Sequence, residues 1–121
     1  MPKYLLLIVE DESAFESGGQ ATFDDVMAAH MAFTEEVGQL GGTILGGEAL
    51  QPVATAAFLR GTRTEGVAVV DNPSPDLKEI LGGYYLIEAK DDEHARSIGA
   101  RCPAQYGYIE VRPIWDFSAG T

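Results

Sequence analysis

The feature that most constrains the fold is a run of five apolar residues near the N-terminus, Leu5 to Val9. Three acidic residues follow it directly at positions 10–12. A strand that is apolar on both of its faces is normally covered on both sides. The sequence therefore predicts a strand from Lys3 to Glu10, and the fold has to supply a cover for each face of its sheet.

Two segments carry the spacing of amphipathic helices. The first begins at Thr22, an N-cap residue, and ends at Gly41-Gly42. The second begins after Asp91 and stops before Pro103. The predicted inner stripe of the first helix is Phe23, Val26, Met27, His30, Phe33, Val37 and Leu40, and that of the second is Ala95, Ile98 and Cys102.

The remaining apolar segments predict strands at 43–50, 55–60, 66–70, 83–89 and 108–117, with a loop at 11–21 and a polar turn at 61–65. The order of elements indicates a single α+β domain over residues 1–121, a ferredoxin-like sandwich (βαβ-β-βαβ) with a frayed tail at 118–121. Two helices cover one face of such a sheet. We therefore expect a homodimer in which a second copy covers the other face.

The charge balance excludes several partners. The 8 basic and 19 acidic residues give a formal charge of −11. Such a surface repels phosphate backbones and anionic lipids, so neither nucleic acid nor a membrane is an expected partner. A single cysteine, the lack of a signal-peptide pattern and the lack of a long apolar run favour a cytoplasmic protein. With two histidines and one cysteine, we predict no metal site, the alternative being one formed by His30, His94 and a carboxylate. The Gly-Gly pairs lack the phosphate-loop and dinucleotide fingerprints, and we predict no cofactor.

Three motifs resemble the YCII-related, DGPF-type family of small bacterial proteins. The first is residues 46–52, Gly-Gly-Glu-Ala-Leu-Gln-Pro, and the third is residues 109–113, Ile-Glu-Val-Arg-Pro. The second spans 71–85, where the family usually reads Asp-Gly-Pro-Phe-Ala-Glu-Thr-Lys-Glu, one further residue, Leu-Gly-Gly and two aromatic residues. The matching positions are Asp71, Pro73, Lys78, Glu79, Leu81, Gly82 and Gly83, whereas residues 72 and 74–77 depart from the pattern. The resemblance covers about residues 2–117.

The resemblance implies a dimeric α/β barrel of ferredoxin-like subunits. It also implies an active site built on a His–Asp pair, here His30 with Asp71, and one relative is a lyase that acts on a chlorinated hydroxymuconate-type acid. From the residues alone, His30 fits either a general acid–base or a core imidazole, and Asp71 fits either an orienting carboxylate or a turn residue.

The other candidates each have two interpretations. Glu48 follows two glycines and fits a second proton carrier or an exposed strand residue. Lys78 and Arg112 fit a clamp for a substrate carboxylate or surface ion pairs. The aromatic residues Tyr84, Tyr85 and Trp115 fit either the wall of a substrate pocket or packing in the core and dimer interface. His94 is predicted to be solvated.

These residues support two functional hypotheses. The first is a cofactor-independent lyase or isomerase that moves a proton in a small organic acid, with His30, Asp71 and Glu48 as catalytic residues. The second is a dimeric, non-catalytic module that binds a small molecule. A third reading, a cofactor-free oxygenase, is selected by none of these residues.

Overall fold

The computed structural model describes residues 1–62 and 65–118. Nine helices and strands lie in these ranges. They are β1 (Lys3–Asp11), α1 (Glu12–Ser17), α2 (Gly19–Gln39), β2 (Thr43–Ala49), β3 (Phe58–Thr62), β4 (Glu65–Val70), β5 (Glu79–Glu88), α3 (Asp92–Gly99) and β6 (Gly107–Pro113), with a 3-10 turn at Val53–Thr55. The predicted α+β class is confirmed. Of these helices, none combines the length and hydropathy that a membrane crossing requires.

Four of the strands form an antiparallel sheet in the order β2-β5-β1-β6, and β3 pairs with β4 in a separate hairpin. The two helical connections, β1 to β2 and β5 to β6, each skip one strand of the sheet. Within the described residues the sheet is open, with β2 and β6 at its edges, and it does not close into a barrel.

The side chains of β1 alternate between the two faces of the sheet. Tyr4, Leu6 and Ile8 are buried, whereas Leu5, Leu7 and Val9 are half-buried. The buried set packs with residues of α2 and α3, which places both helices over the same face. The core of the described chain is Tyr4, Leu6, Ile8, Phe33, Val37, Ile87, Ala89, Ala95, Ile98 and Cys102. Ala95 and Ile98 of the predicted inner stripe of α3 are therefore confirmed, and Cys102 is also buried but lies beyond the end of the helix at Gly99.

The segment 11–21, predicted as a loop, is helical. Asp11 caps α1, because its carboxylate accepts hydrogen bonds from the backbone N–H groups of Ser13 (3.0 Å) and Ala14 (3.2 Å). The helix α2 then starts at Gly19, in the left-handed region at φ 69°, and not at Thr22. The acidic residues at 10–12 and the glycines at 18–19 concealed a short capped helix.

Three strand boundaries also differ from the prediction by at least three residues. β3 begins at Phe58 and not at 55, because Thr55 belongs to the 3-10 turn. β5 begins at Glu79 and not at 83, because its first residues pair with the end of β1. β6 ends at Pro113 and not at 117, although the N–H of Ile114 still donates to the carbonyl of Lys3 (3.0 Å). Positions 63 and 64 of the predicted turn and positions 119–121 of the predicted frayed tail lie outside the described residues.

Tyr4 connects the sheet to the start of α3, and it gives the first testable prediction. Its ring is 2% exposed, and its hydroxyl donates to Asp92 Oδ1 (2.7 Å). Burial, followed by the bond to Asp92, raises the pKa of Tyr4 to about 12. The folded state keeps this proton where the unfolded state loses it, so the stabilisation is complete below pH 10 and is lost as the pH rises towards 12.

We expect Tyr4→Phe to lower the free energy of unfolding by about 1 kcal/mol at pH 7 and by less at pH 11. Urea unfolding of both proteins at the two pH values measures the difference. A loss of stability that is equal at pH 7 and pH 11 would contradict this account.

Candidate functional site

A cavity of about 510 Å³ lies between the sheet and the first two helices. Its walls come from α1, α2, the ends of β1 and β2, the loop after β2, and the first half of β5. Most of the wall is apolar. The apolar lining residues are Ile8, Phe15, Phe23, Val26, Met27, Ala49, Leu50, Pro52 and Ile80.

The apolar stripe of α2 is divided into two halves. One half packs in the core, and the other half lines the cavity. Phe33 and Val37 in its C-terminal half are 1% exposed. Phe23 and Met27 in its N-terminal half lie on the same predicted stripe, yet both are 47% exposed and both line the cavity. The sequence predicted all of these residues to face inward, and the structure divides them between a packed core and an open pocket.

His30 and Tyr85 form a hydrogen-bonded pair in the cavity wall. His30 Nδ1 lies 2.7 Å from the hydroxyl oxygen of Tyr85, and the ring centroids are 5.7 Å apart. The Tyr85 ring also packs against Phe33, with a centroid distance of 5.1 Å. Within the described residues, no hydrogen bond to His30 Nε2 is found. One imidazole nitrogen of His30 is thus held by a hydrogen bond within the protein.

The surroundings keep both partners uncharged at neutral pH. Burial lowers the pKa of His30 below its usual 6.5, while the negative charge of Glu10 acts in the opposite direction. Burial raises the pKa of Tyr85 above its usual 10.0, and the nearby Cys102 adds to this. A neutral imidazole that already has a fixed hydrogen bond is ready to accept a proton.

Gly47 makes room for this pair. In the register of β2 and β5, Gly47 lies opposite Tyr85. A Cβ atom at Gly47 would lie 2.9 Å from Cδ1 of the Tyr85 ring and 2.7 Å from the carbonyl oxygen of Tyr84. Any larger residue would displace the Tyr85 ring or the strand. The Gly-Gly pair at 46–47 therefore has a steric role at its second position.

Four of the residues predicted from the sequence line the cavity, namely His30, Glu48, Tyr84 and Tyr85. The other four, Asp71, Lys78, Arg112 and Trp115, are not among its lining residues in the described chain, and all four are exposed. The single chain therefore brings the predicted base together with two aromatic residues and one carboxylate, but not with the predicted orienting aspartate or the predicted cations.

The four outlying residues have different surroundings. Asp71 directly follows β4, and Lys78 directly precedes β5. Arg112 forms an ion pair with Glu110 on the same strand. Trp115 is 83% exposed and stacks on Phe117, with ring centroids 6.2 Å apart.

Sequence reasoning missed three glutamates in the cavity wall, Glu10, Glu12 and Glu16, and the first two accept backbone hydrogen bonds. A carboxylate oxygen of Glu12 accepts from the N–H of Val53 (2.7 Å), which joins α1 to the loop after β2. A carboxylate oxygen of Glu10 accepts from the N–H of Tyr106 (3.2 Å). Glu10 is predicted at the end of the first strand and Glu12 in the loop at 11–21, and no local pattern assigns either residue to a site.

His94 has a structural role, so its predicted solvation is wrong. Nδ1 accepts from the N–H of Lys90 (2.9 Å), which leaves Nε2 to donate to the carbonyl of Leu40 (2.7 Å). The Nε2 bond thus ties the start of α3 to the end of α2, and the Nδ1 bond holds the residues directly before α3. In the part of the chain that the structure describes, no three His, Cys, Asp or Glu residues are placed to hold a metal ion.

Titration of His30 gives the second prediction. In the wild-type protein, NMR of the imidazole C–H signals is expected to give His30 a pKa below 6.5. Glu10→Gln removes the negative charge that partly offsets burial and keeps an acceptor for the N–H of Tyr106. This variant is expected to have a still lower His30 pKa. A value that rises or does not change would contradict the assigned role of Glu10.

The same shift gives the sign of the pH dependence of stability. Because the folded state resists protonation of His30, the unfolded state binds more protons as the pH falls below 6.5. The contribution of His30 to stability is therefore complete above pH 6.5 and is lost as the pH falls through the lowered pKa.

The fold and the site together define a small α+β protein with an apolar pocket built around one histidine–tyrosine pair. The model of the YCII-related domain matches residues 2–118, so the chain belongs to the YCII-related family. The resemblance inferred from the sequence motifs is confirmed. No curated protein matches the chain.

Proposed function

We propose that this YCII-related protein catalyses proton transfer on a small molecule held in the cavity, with His30 as the acid–base. The observation that carries the proposal is the 2.7 Å contact between His30 Nδ1 and the Tyr85 hydroxyl, in the wall of a cavity of about 510 Å³. Pockets of this size suit small-molecule ligands. A half-buried imidazole in such a wall is a candidate for acid–base catalysis.

In the proposed step, His30 carries its proton on Nδ1, which donates to the Tyr85 oxygen. The lone pair on Nε2 takes a proton from a carbon next to a carbonyl group. The C–H bonding electrons move into the carbonyl to form an enolate, and the imidazole becomes an imidazolium. The negative charge of Glu10 favours the imidazolium. Return of the proton to another carbon completes an isomerisation, and loss of a leaving group completes an elimination.

The test is hydrogen–deuterium exchange at carbon next to a carbonyl, measured by proton NMR in D₂O with a panel of small ketones that includes 2-tetralone. The wild-type protein is expected to exchange at least one of them faster than buffer does. Exchange at the buffer rate for the whole panel, or a rate that His30→Gln leaves unchanged, would contradict the proposal. Binding without exchange would favour the alternative, a non-catalytic binding module.

The pairing of His30 with Asp71 stays a prediction. Asp71→Asn tests it by the same imidazole titration, because a carboxylate that faces His30 raises the pKa of the imidazole. A fall in this pKa on substitution would support the pair, and no change would count against it. The roles of Lys78 and Arg112 in holding a carboxylate, and of Trp115 in a substrate pocket, also stay predictions.

We further propose a homodimer of ferredoxin-like subunits. The antiparallel order β2-β5-β1-β6 with two crossing helical connections is consistent with such a subunit. Leu5, Leu7 and Val9 point away from the buried core and are only half-buried in the chain. A second copy placed sheet against sheet would cover them. Sedimentation at micromolar concentration tests this, and a mass of 13.0 kDa would contradict it.

Two smaller expectations also carry over as predictions, a lyase or isomerase reaction and a cytoplasmic location. The location is supported by the single thiol of the chain, Cys102, which is buried and unpaired with another cysteine. Burial raises the pKa of Cys102 to about 12, so the thiol stays protonated and unreactive at neutral pH.

A further inference from the structure

The charges around the cavity all have one sign. Its lining includes four glutamates, at positions 10, 12, 16 and 48, and among its described lining residues there is no lysine or arginine. His30 adds no positive charge at neutral pH, because burial lowers its pKa. Arg112 is engaged with Glu110, and Lys78 is outside the lining. A carboxylate that enters this cavity meets four like charges and no partner.

Two of the glutamates are fixed in the wall. The carboxylates of Glu10 and Glu12 accept hydrogen bonds from the backbone N–H groups of Tyr106 and Val53. They cannot turn away without leaving those N–H groups without partners, which costs about 1–3 kcal/mol per group when buried. The like-charge environment is therefore part of the cavity and not an accident of mobile surface side chains.

The rest of the cavity offers contact area for an apolar body. Phe23 and Met27 are each 47% exposed on the helix that buries Phe33 and Val37 in the core, and Phe15 and Ile80 lie in the same cavity wall. Apart from the four glutamates, the polar side chains in the lining are His30, Gln51, Tyr84 and Tyr85, and His30 and Tyr85 are hydrogen-bonded to each other. Sites of this kind bind a largely apolar ligand and orient it through one or two hydrogen bonds.

We propose that the cavity takes an uncharged, mostly apolar molecule with a single carbonyl or hydroxyl group, such as an aromatic or alicyclic ketone or enol, and that it rejects carboxylates. The carbonyl or hydroxyl group hydrogen-bonds at the His30–Tyr85 pair. This inference rests on the proposed function for the identity of the site, but it concerns binding and not turnover. The sequence predicted a small organic acid as the substrate, with Lys78 and Arg112 next to it. The ligand class proposed here is different.

The test uses probes of one shape and different charge, 2-acetylnaphthalene, 2-naphthoate and 2-naphthylmethylammonium. Binding is followed by NMR through the ring signals of His30 and Tyr85. The ketone is expected to shift these signals on binding, and 2-naphthoate is expected to bind at least about tenfold more weakly, which corresponds to about 1.4 kcal/mol. The ammonium probe is expected to bind no better than the ketone, because its charge has to be desolvated against an apolar wall.

A matched variant separates charge from shape. Glu16→Gln with Glu48→Gln removes two of the four charges and leaves both backbone-bound carboxylates in place. In this variant the ratio of the ketone affinity to the 2-naphthoate affinity is expected to fall at least about threefold, through tighter binding of 2-naphthoate. The reason is that each like charge removed lowers the repulsion of the carboxylate.

Each outcome decides the inference. Equal or tighter binding of 2-naphthoate, tighter binding of the ammonium probe, or no shift of the His30 and Tyr85 signals by the ketone overturns it. Proton exchange observed together with tight 2-naphthoate binding would overturn this inference and leave the proposed function standing. Ketone binding with no proton exchange would do the reverse.

Discussion

The His30→Gln protein is expected to exchange the protons next to the carbonyl of 2-tetralone about 10²–10⁴ times more slowly than the wild-type protein, the usual contribution of a positioned general base. Glutamine keeps an N–H group that donates to the Tyr85 hydroxyl oxygen, so the wall of the cavity stays closed. It has no group that takes up a proton near pH 7. Exchange is measured by NMR in D₂O at a substrate concentration below saturation.

Met31→Ala is the matched control for this experiment. Met31 is the next residue on α2, but it is 69% exposed and does not line the cavity. Its loss should leave the exchange rate within about twofold of wild type and the free energy of unfolding within about 0.5 kcal/mol. If His30→Gln and Met31→Ala slowed exchange equally, the effect would come from the helix and not from the imidazole.

Phe33→Ala is expected to lower the free energy of unfolding by about 3–5 kcal/mol. Phe33 is 1% exposed and lies where α2 meets the sheet. Removing its ring leaves a cavity in the core and takes away the partner of the Tyr85 ring, whose centroid is 5.1 Å away. Since small domains have about 5–15 kcal/mol of stability in total, this variant should be close to its unfolding threshold at 37 °C.

Phe33→Leu separates the effect of lost packing volume from the effect of losing any large apolar side chain at this position. Leucine fills part of the same space, so a loss of about 1–2 kcal/mol is expected in urea unfolding. Phe33→Ala should also lose the contact that holds the Tyr85 ring. Its affinity for the ketone probe should therefore fall even below its unfolding temperature. A loss under 1 kcal/mol for Phe33→Ala would contradict the assignment of Phe33 to the centre of the core.

The alternation in β1 and the caps of α3 made much of the fold predictable. Tyr4, Leu6 and Ile8 had to share one face, and Asp91 does cap α3 by accepting from the N–H of His94 (2.8 Å). The helix α1 was not predicted because its six residues are too few to show a periodic apolar stripe. Only the cap by Asp11 marks its start, and a capping carboxylate in an acidic run looks the same as a loop residue.

The site was less predictable than the fold. His30 could be proposed from the sequence because it lies on the apolar stripe of a predicted helix and matches the histidine that the family resemblance implies. Its partner Tyr85 lies 55 positions away, and the two meet only because β5 runs next to β2 in a register that places Gly47 opposite Tyr85. No local pattern encodes that register. The acidic character of the cavity depends in the same way on which side chains the sheet brings together.

The division of α2 into a packed half and a half that lines the cavity has a consequence for local opening of the native state. Amide protons around Phe33 and Val37 open only when the core does, so their hydrogen exchange should be the slowest in the helix. Amides around Phe23 and Met27 have fewer buried contacts and should open at lower free energy. A molecule in the cavity would therefore slow exchange mainly in the N-terminal half of α2, and this pattern would locate its binding before any complex is solved.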